Sequence, residues 1–297
     1  MSEGGRLINV NLGDLSKPAT VLIEKISDAV GEILRPGQIK RVAKAEAEAA
    51  EIRALSDIKI TRIQQRGLAR LIQEEGKKQA NIERITALAL PDLKADAKPE
   101  NIENDWLAHF FEKCRIVSDT EMQSLWARLL AGEANKPGAF SRRTVEFVAT
   151  LDKEDAQLFT NLCRFGWSIG DGTELFIYSN KADIYNHHGI NFNVLTHLDD
   201  IGLITFNPTA PFGLFKLPKQ LTVYYYGMPA NLEFPNDSDN ALKVGEVLLT
   251  KVGDELSPIS GATGVKEFPS FVFSKWTEQG LKVSSSKDIP TSEHSSS

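Results

Sequence analysis

The stretch MQSLWARLLAGEANKPGAFSRRTVEFVATLDKEDAQLF, residues 122–159, sets the pattern for the rest of the chain. Met122, Leu125, Trp126, Leu129 and Leu130 recur at three- and four-residue steps, which gathers them on one face of an α-helix. GEANKPGAF then supplies a turn, with Pro137 and Gly138 at its centre. Ser141 is placed to cap a further helix, whose Thr144, Val145 and Val148 continue the apolar face, and Asp152 opens another. Upstream, DWLAHFFEKCRIVSD puts Trp106, Phe110, Cys114 and Val117 on one face, and Ser118 or Asp119 caps the helix that follows. Trp126, Leu129, Leu130, Phe140, Val145, Phe147, Leu151 and Phe159 are therefore expected in a helical core. No pair or trio in the stretch has the form of a catalytic motif.

Toward the N-terminus, Val21, Leu22, Ile26, Val30, Ile33 and Leu34 form one side of a short amphipathic helix, interrupted at Arg35, Pro36 and Gly37. Residues 38–90 contain no proline and are rich in strong helix formers. Ala45, Ala49, Ile52, Leu55, Ile60, Ile63, Leu71, Ile82, Ile85 and Ala89 make a drifting stripe. Within it, Ile60, Leu71 and Ile82 recur every eleven residues, which keeps a seam on a nearly straight helix. Two readings stand: an oligomeric coiled coil, or a hairpin within one chain, broken at Gly67 or Gly76. The basic side, Lys59, Arg62, Arg66, Arg70, Lys77 and Lys78, is a solvated face or a contact for phosphates of lipid or nucleic acid. DLKADAKPENIEND reads as a linker, with Asn101 or Asn104 capping the next helix.

Toward the C-terminus, the order is a helix from Lys153 to Trp167, the turn SIGDGT, a strand ELFIY, a short helix near 182–186 and the turn HHGI. The helix NFNVLTHLDD, Gly202 as a left-handed stop and the strand LITF follow. That is the order of a winged-helix domain. A long wing is expected over 207–240, containing QLTVYYYG, with ALKVGEVLLTKVGDELSPI as closing strand and helix. Of Tyr224, Tyr225 and Tyr226, one or two rings should pack inward. Phe192, Leu195, Leu198 and Ile201 are expected to face the core, leaving Asn193, Thr196, His197, Asp199 and Asp200 to solvent. This third helix carries no Lys or Arg, so sequence-specific DNA reading is not expected of it.

With 297 residues, 41% hydrophobic and 25% charged, the chain has an ordinary composition for about two domains. A net charge of -6 argues against non-specific coating of nucleic acid. Cys114 and Cys163 lie in apolar helical contexts and are expected as buried thiols. No apolar run is long enough for a membrane span and no signal peptide is recognisable, so a cytoplasmic location is expected. His187, His188, His197, Asp199 and Asp200 match no metal spacing. No phosphate-binding loop, dinucleotide fingerprint or nucleophile elbow occurs, and no cofactor is expected.

RPGQIKRVAKAEAEAAEIRA (35–54), residues 105–159, IYNHHGINFNVLTHLDDIGLI (184–204) and VLLTKVGDELSPI (247–259) together resemble a bacterial family known as domain of unknown function 2806. Residues 122–159 also resemble, more distantly, the abortive-infection alpha proteins of phage defence. Neither resemblance carries catalytic residues.

The expected fold is α+β and mostly α. Residues 1–36 hold the short helix, 37–91 a long helix or coiled coil, and 100–151 a helical middle domain. Residues 152–280 form a winged-helix-like domain with an extended β wing, and 281–297 a disordered tail. The expected function is that of a non-enzymatic, oligomeric interaction protein, with a partner encoded nearby. Two alternatives stand beside it, a nucleic-acid-binding regulator and an enzyme whose site is assembled between domains. Contact is expected at Ile60, Leu71 and Ile82, at Asn193 and His197, and at Arg142 and Arg143. The two arginines sit at a helix start, where the macrodipole disfavours them, and a pair with Glu133, Asp152 or Glu154 is expected to compensate. Peripheral membrane contact through the basic side of the long helix is a further possibility left open by the sequence.

Overall fold

Three- and four-residue apolar spacing gives way near Gly166 to short β-branched and aromatic runs, and the structure changes character there. In the computed structural model, residues 15–30 and 61–285 are described, and the chain divides into two compact units between Thr150 and Leu151. The fold is α+β, helical in the first unit and mixed, with several antiparallel sheets, in the second.

The first unit comprises α1 (Lys17–Val30), α2 (Arg62–Ala89), α3 (Asn104–Cys114), α4 (Thr120–Asn135) and α5 (Arg142–Thr150). α1 buries Ala19, Leu22 and Ile26 against α3 and the 3-10 turn Pro99–Asn101. Val21 is only half-buried, and Ile33 and Leu34 lie outside the described residues. α2 packs along α4, and α5 along α3. The side-chain oxygen of Asp119 caps α4 by accepting from the N–H groups of Glu121 and Met122. Trp126 is fully buried and meets Phe110 edge-on at 5.1 Å, while Phe110 stacks on Trp106 at 5.2 Å. Such side chains contribute about 1.5–3 kcal/mol each by burial.

The turn after α4 is held by Glu133. Its carboxylate accepts from the N–H of Gly138 at 2.7 Å and of Phe140 at 3.0 Å, and the carbonyl of Phe140 accepts from Trp106 Nε1 at 2.9 Å. Burial raises the Glu133 carboxyl above the ordinary range, against the pull of those N–H groups. Glu133 is thus a strut of the turn and not the partner of Arg142, as sequence order had led us to expect. Arg142 instead faces Asp105 at 3.4 Å and Glu103 at 3.8 Å, carboxylates brought close by the packing of α5 on α3.

Three further expectations do not hold. α2 runs uninterrupted through Gly67 and Gly76, so no hairpin breaks at either. One glycine in a long helix costs about 1 kcal/mol, too little to end it. The stretch 92–105 is folded: Pro99 and Ile102 are buried, the N–H of Lys98 donates to the carbonyl of Ala134, and Asn135 bonds both Lys94 and Asp92. Glu103, not Asn101 or Asn104, occupies the cap position of α3, without a side-chain cap bond.

The second unit contains α6 (Lys153–Cys163), β1 (Gly166–Ile169), β2 (Gly172–Leu175), α7 (Asp183–Asn186), α8 (Phe192–Asp200), β3 (Ile204–Phe206) and β4 (Phe212–Leu217). β5 (Gln220–Tyr225), β6 (Met228–Glu233), β7 (Asn240–Gly245), β8 (Val247–Leu249), α9 (Lys251–Leu256), α10 (Phe268–Glu278) and β9 (Lys282–Ser285) follow. Five strands form one antiparallel sheet in the order β2-β1-β5-β6-β9, and β3–β8 and β4–β7 are separate antiparallel pairs. Trp167, Trp276, Phe165, Phe176, Tyr185 and Phe268 fill the core, with Trp167 and Trp276 4.8 Å apart.

Here β pairing departs from the expected layout. Glu174–Leu175 ends β2, and of the remaining ELFIY residues Ile177 makes only an isolated bridge to Gly245. β5 and β6 do not stand out as a wing, because both are built into the large sheet. Lys282–Ser285, expected in a structureless tail, is an edge strand, since its alternation matches β6 and sets Val283 opposite Leu232. Gly202 takes the expected left-handed conformation at φ 85°, and Tyr225 is buried while Tyr224 and Tyr226 are partly exposed. Leu195 and Leu198 are fully buried, yet Phe192 is 51% exposed and meets Phe206 edge-on at 5.5 Å. A three-residue step turns an α-helix by 300°, so four residues at that spacing sweep half the circumference and cannot all face inward.

Candidate interaction surfaces

Gln64, Leu68, Leu71, Glu75, Lys78, Ile82, Ile85 and Ala89 alternate steps of four and three along α2 with heptad spacing; Leu68 and Leu71 are the apolar members of its N-terminal half, and Glu75 and Lys78 pair with each other at 2.6 Å. The C-terminal part of this face, Ile82, Ile85 and Ala89, is buried against α4. Cover ends near Asn81, whose side chain donates to the carbonyl of Arg115 and accepts from Gln123 Nε2. Beyond that point residues 62–77 are exposed, Leu68 alone being half-buried. At 1.5 Å per residue this is about 24 Å of helix without a partner among the described residues. Leu71 is 54% exposed on the same face as buried Ile82, and Ile63 and Ile72 are also exposed. Ile60 lies outside the described residues.

Such a helix is not self-sufficient. A segment of this length is marginal in water, Gly67 and Gly76 weaken it, and Arg62 and Arg66 oppose the macrodipole in its first turns. A capping box helps: Thr61 Oγ1 accepts from the N–H of Gln64, and Gln64 Oε1 accepts from the N–H of Thr61 at 2.8 Å.

The other candidates are more completely satisfied. Arg142 is paired as described, and Arg143 beside it is exposed. Asn193 is exposed on the first turn of α8, capped by Asn191 through the N–H of Val194. His197 is tied through Nε2 to Asp155 of α6 at 2.6 Å, which fixes its ring against the unit. His188 is turned toward Arg164, so the histidines do not converge. Among the described residues no group of three His, Cys, Asp or Glu could hold a metal ion. Both cysteines are buried free thiols, and burial pushes Cys163 up to about 12 and Cys114 higher still. No helix among the described residues is long and apolar enough to cross a membrane.

A family profile described as Protein of unknown function (DUF2806) matches residues 65–272, most of the chain. The chain belongs to that family. The DUF2806 match takes in most of α2, spans both units and reaches into α10, so Leu71, Ile82, Arg142, Arg143, Asn193 and His197 all lie within it. No curated protein and no solved structure matches the chain. Of the candidates, the structure brings Leu71 and Ile82 onto one face of α2 and Asn193 and His197 onto one face of α8, in the other unit.

Proposed function

We propose that this DUF2806 protein is a non-enzymatic, self-associating interaction protein in which the exposed half of α2 is the assembly element. The observation that supports this is the heptad-spaced face of α2, buried at one end and uncovered at the other. A second copy of the same helix is the occupant that face fits. About a two-fold axis between Leu68 and Leu71, an antiparallel partner sets each leucine opposite the other and keeps Arg62, Arg66 and Arg70 on the outer side. Nothing lies within 4 Å of where a Cβ at Gly67 would be, which leaves room for close approach. The distant resemblance of residues 122–159 to abortive-infection alpha proteins extends the proposal to bacterial antiviral defence.

Sedimentation of the full chain tests the assembly. The parent is expected as a dimer or larger and Leu71→Glu as a smaller species that keeps the parent's fold by circular dichroism, because Leu71 is 54% exposed in one subunit; the parent's melting temperature should rise with protein concentration and the variant's should not. Parent and variant both sedimenting as monomers would dispose of the proposal.

On this reading α8 does not read DNA. Its solvent side carries Asn193, His197 and Asp200, with Asp199 half-buried, and offers no cation. Replacing Asp199 and Asp200 with Asn is expected to leave any duplex affinity unchanged or slightly raised, by removing repulsion of phosphates. Mobility-shift titration at low salt checks it, and a complex weakened by the double change would favour a regulator instead.

A further inference from the structure

Arg164 closes α6, and no motif marks it in the sequence. Its guanidinium is held at two points: Nε donates to the carbonyl of Thr263 at 3.2 Å, and Nη1 donates to Nδ1 of His188 at 3.3 Å. A guanidinium has donors only, so this contact occupies the Nδ1 lone pair and leaves the His188 proton on Nε2. Burial, and after it the charge of Arg164, hold the imidazole below the usual histidine range, so His188 is neutral at pH 7.

The ground beneath the pair is fixed. Thr160 Oγ1 shares its one hydrogen between the carbonyls of Ala156 at 2.8 Å and Ser260 at 3.1 Å, and the Tyr225 hydroxyl accepts from the N–H of Val265 at 2.6 Å while donating to the carbonyl of Arg164 at 2.8 Å. Gly264 lies so close to the rings of Tyr225 and Tyr226 that a Cβ would come within 2.9 Å of each. The loop that carries Thr263 is therefore clamped from both sides.

What the site lacks is a counter-charge. Arg142 faces two carboxylates and Arg70 one, whereas half-buried Arg164 has no carboxylate at ion-pair distance among the described residues. Glu267 is near enough for its charge to reach His188, yet it makes no ion pair with Arg164. At the C-terminal end of α6, where the helix dipole gives Arg164 part of its compensation, the carbonyls of Cys163 and Arg164 also accept from the hydroxyls of Tyr226 and Tyr225.

We propose that Arg164 and His188 form a recognition site for an oxyanion, a phosphate or carboxylate group carried by a ligand. Nη2 and the remaining Nη1 hydrogen are the donors it would use, and His188, bonded through Nδ1, holds the guanidinium in place while its own Nε2–H lies on the far edge of the ring. A planar fork held in advance suits the two oxygens of such a group, and no ordering of the side chain has to accompany binding.

The test uses the full chain at pH 7, with inorganic phosphate and acetate as separate probes and sodium chloride at matched ionic strength as background. Imidazole resonances are followed by NMR, His188 being assigned from a His188→Gln spectrum, and retained anion is measured by equilibrium dialysis. A saturable shift of the His188 signals is expected, with its titration midpoint moving upward on binding, since a nearby anion favours the imidazolium. Arg164→Gln should weaken binding by about tenfold or more, and Arg164→Lys by less. Retention of phosphate alone assigns a phosphorylated ligand, and retention of acetate alone a carboxylate. Shifts no larger than those from chloride, or an Arg164→Gln protein that binds like the parent, would overturn the assignment. Should that variant fail to fold, dialysis of the parent decides: no retention of either probe above the chloride background refutes the site.

Discussion

Truncating Trp126 to alanine is expected to lower the stability of the helical unit by about 3–5 kcal/mol, the range for removing a large buried aromatic. The ring is fully buried and sits edge-on against Phe110, which is itself stacked on Trp106, so the cavity would open where three aromatic rings meet. Urea denaturation followed by circular dichroism measures the loss. A second substitution sharpens the reading. Trp126 Nε1 has no hydrogen-bond partner, so Trp126→Phe gives up ring area without orphaning an acceptor, and a loss of about 1–2 kcal/mol is expected. If Trp126→Ala melts like the parent, the ring is not the centre of this core.

Gly245→Ala is expected to cost the second unit about 3 kcal/mol or more. Gly245 ends β7 at φ 120°, a conformation L side chains rarely adopt, and a Cβ there would lie 2.0 Å from the carbonyl oxygen of Ile177. That oxygen is fixed by the N–H of Glu246 at 2.7 Å, and Glu246 in turn holds Asn180 through its carboxylate, so the backbone has little room to yield. Gly202→Ala is the comparison: its φ is also positive, but nothing lies within 4 Å, and about 1–2 kcal/mol is expected from conformation alone. Equal losses in the two variants would show that the steric argument is wrong.

The helical unit was largely legible because its information is local. Leu125, Trp126, Leu129 and Leu130 announce their buried face by spacing, Asp119 announces its cap by position, and all are buried or bonded accordingly. The misreadings came where a partner is distant in sequence, as for Arg142, or where it is a backbone group that only the folded turn presents, as for Glu133. Nothing near Arg142 points to Asp105, thirty-seven residues away, and nothing near Glu133 shows that a turn will bring two N–H groups onto its carboxylate. Strand pairing is harder still, since β5 carries one alternation whether it hangs out as a wing or lies between β1 and β6. Of the candidate surfaces, the α2 face was written in the sequence only in part, as the eleven-residue recurrence that joins Leu71 to Ile82; Leu68 lies outside that stripe. The Arg164 and His188 pair was not, because it depends on a loop carbonyl ninety-nine residues from the arginine.

The sheet order also governs how fast the chain reaches its fold. In the first unit α2 packs along α4 and α3 along α5, through contacts such as that of Asn81 with Gln123, 42 residues apart, and that of Arg142 with Asp105, 37 residues apart. The large sheet waits on unions between strands more than fifty residues apart, Ser168 with Tyr224 and Leu232 with Val283, and each must meet the entropy of a long closure before any ladder bond repays it. The helical unit is expected to fold before the β-rich one, and refolding followed separately at Trp126 and at Trp167 or Trp276 would check the order. Until β9 arrives, the outer edge of β6 stands open as a template for stray strands, and the interval before closure is when this chain is most exposed to aggregation.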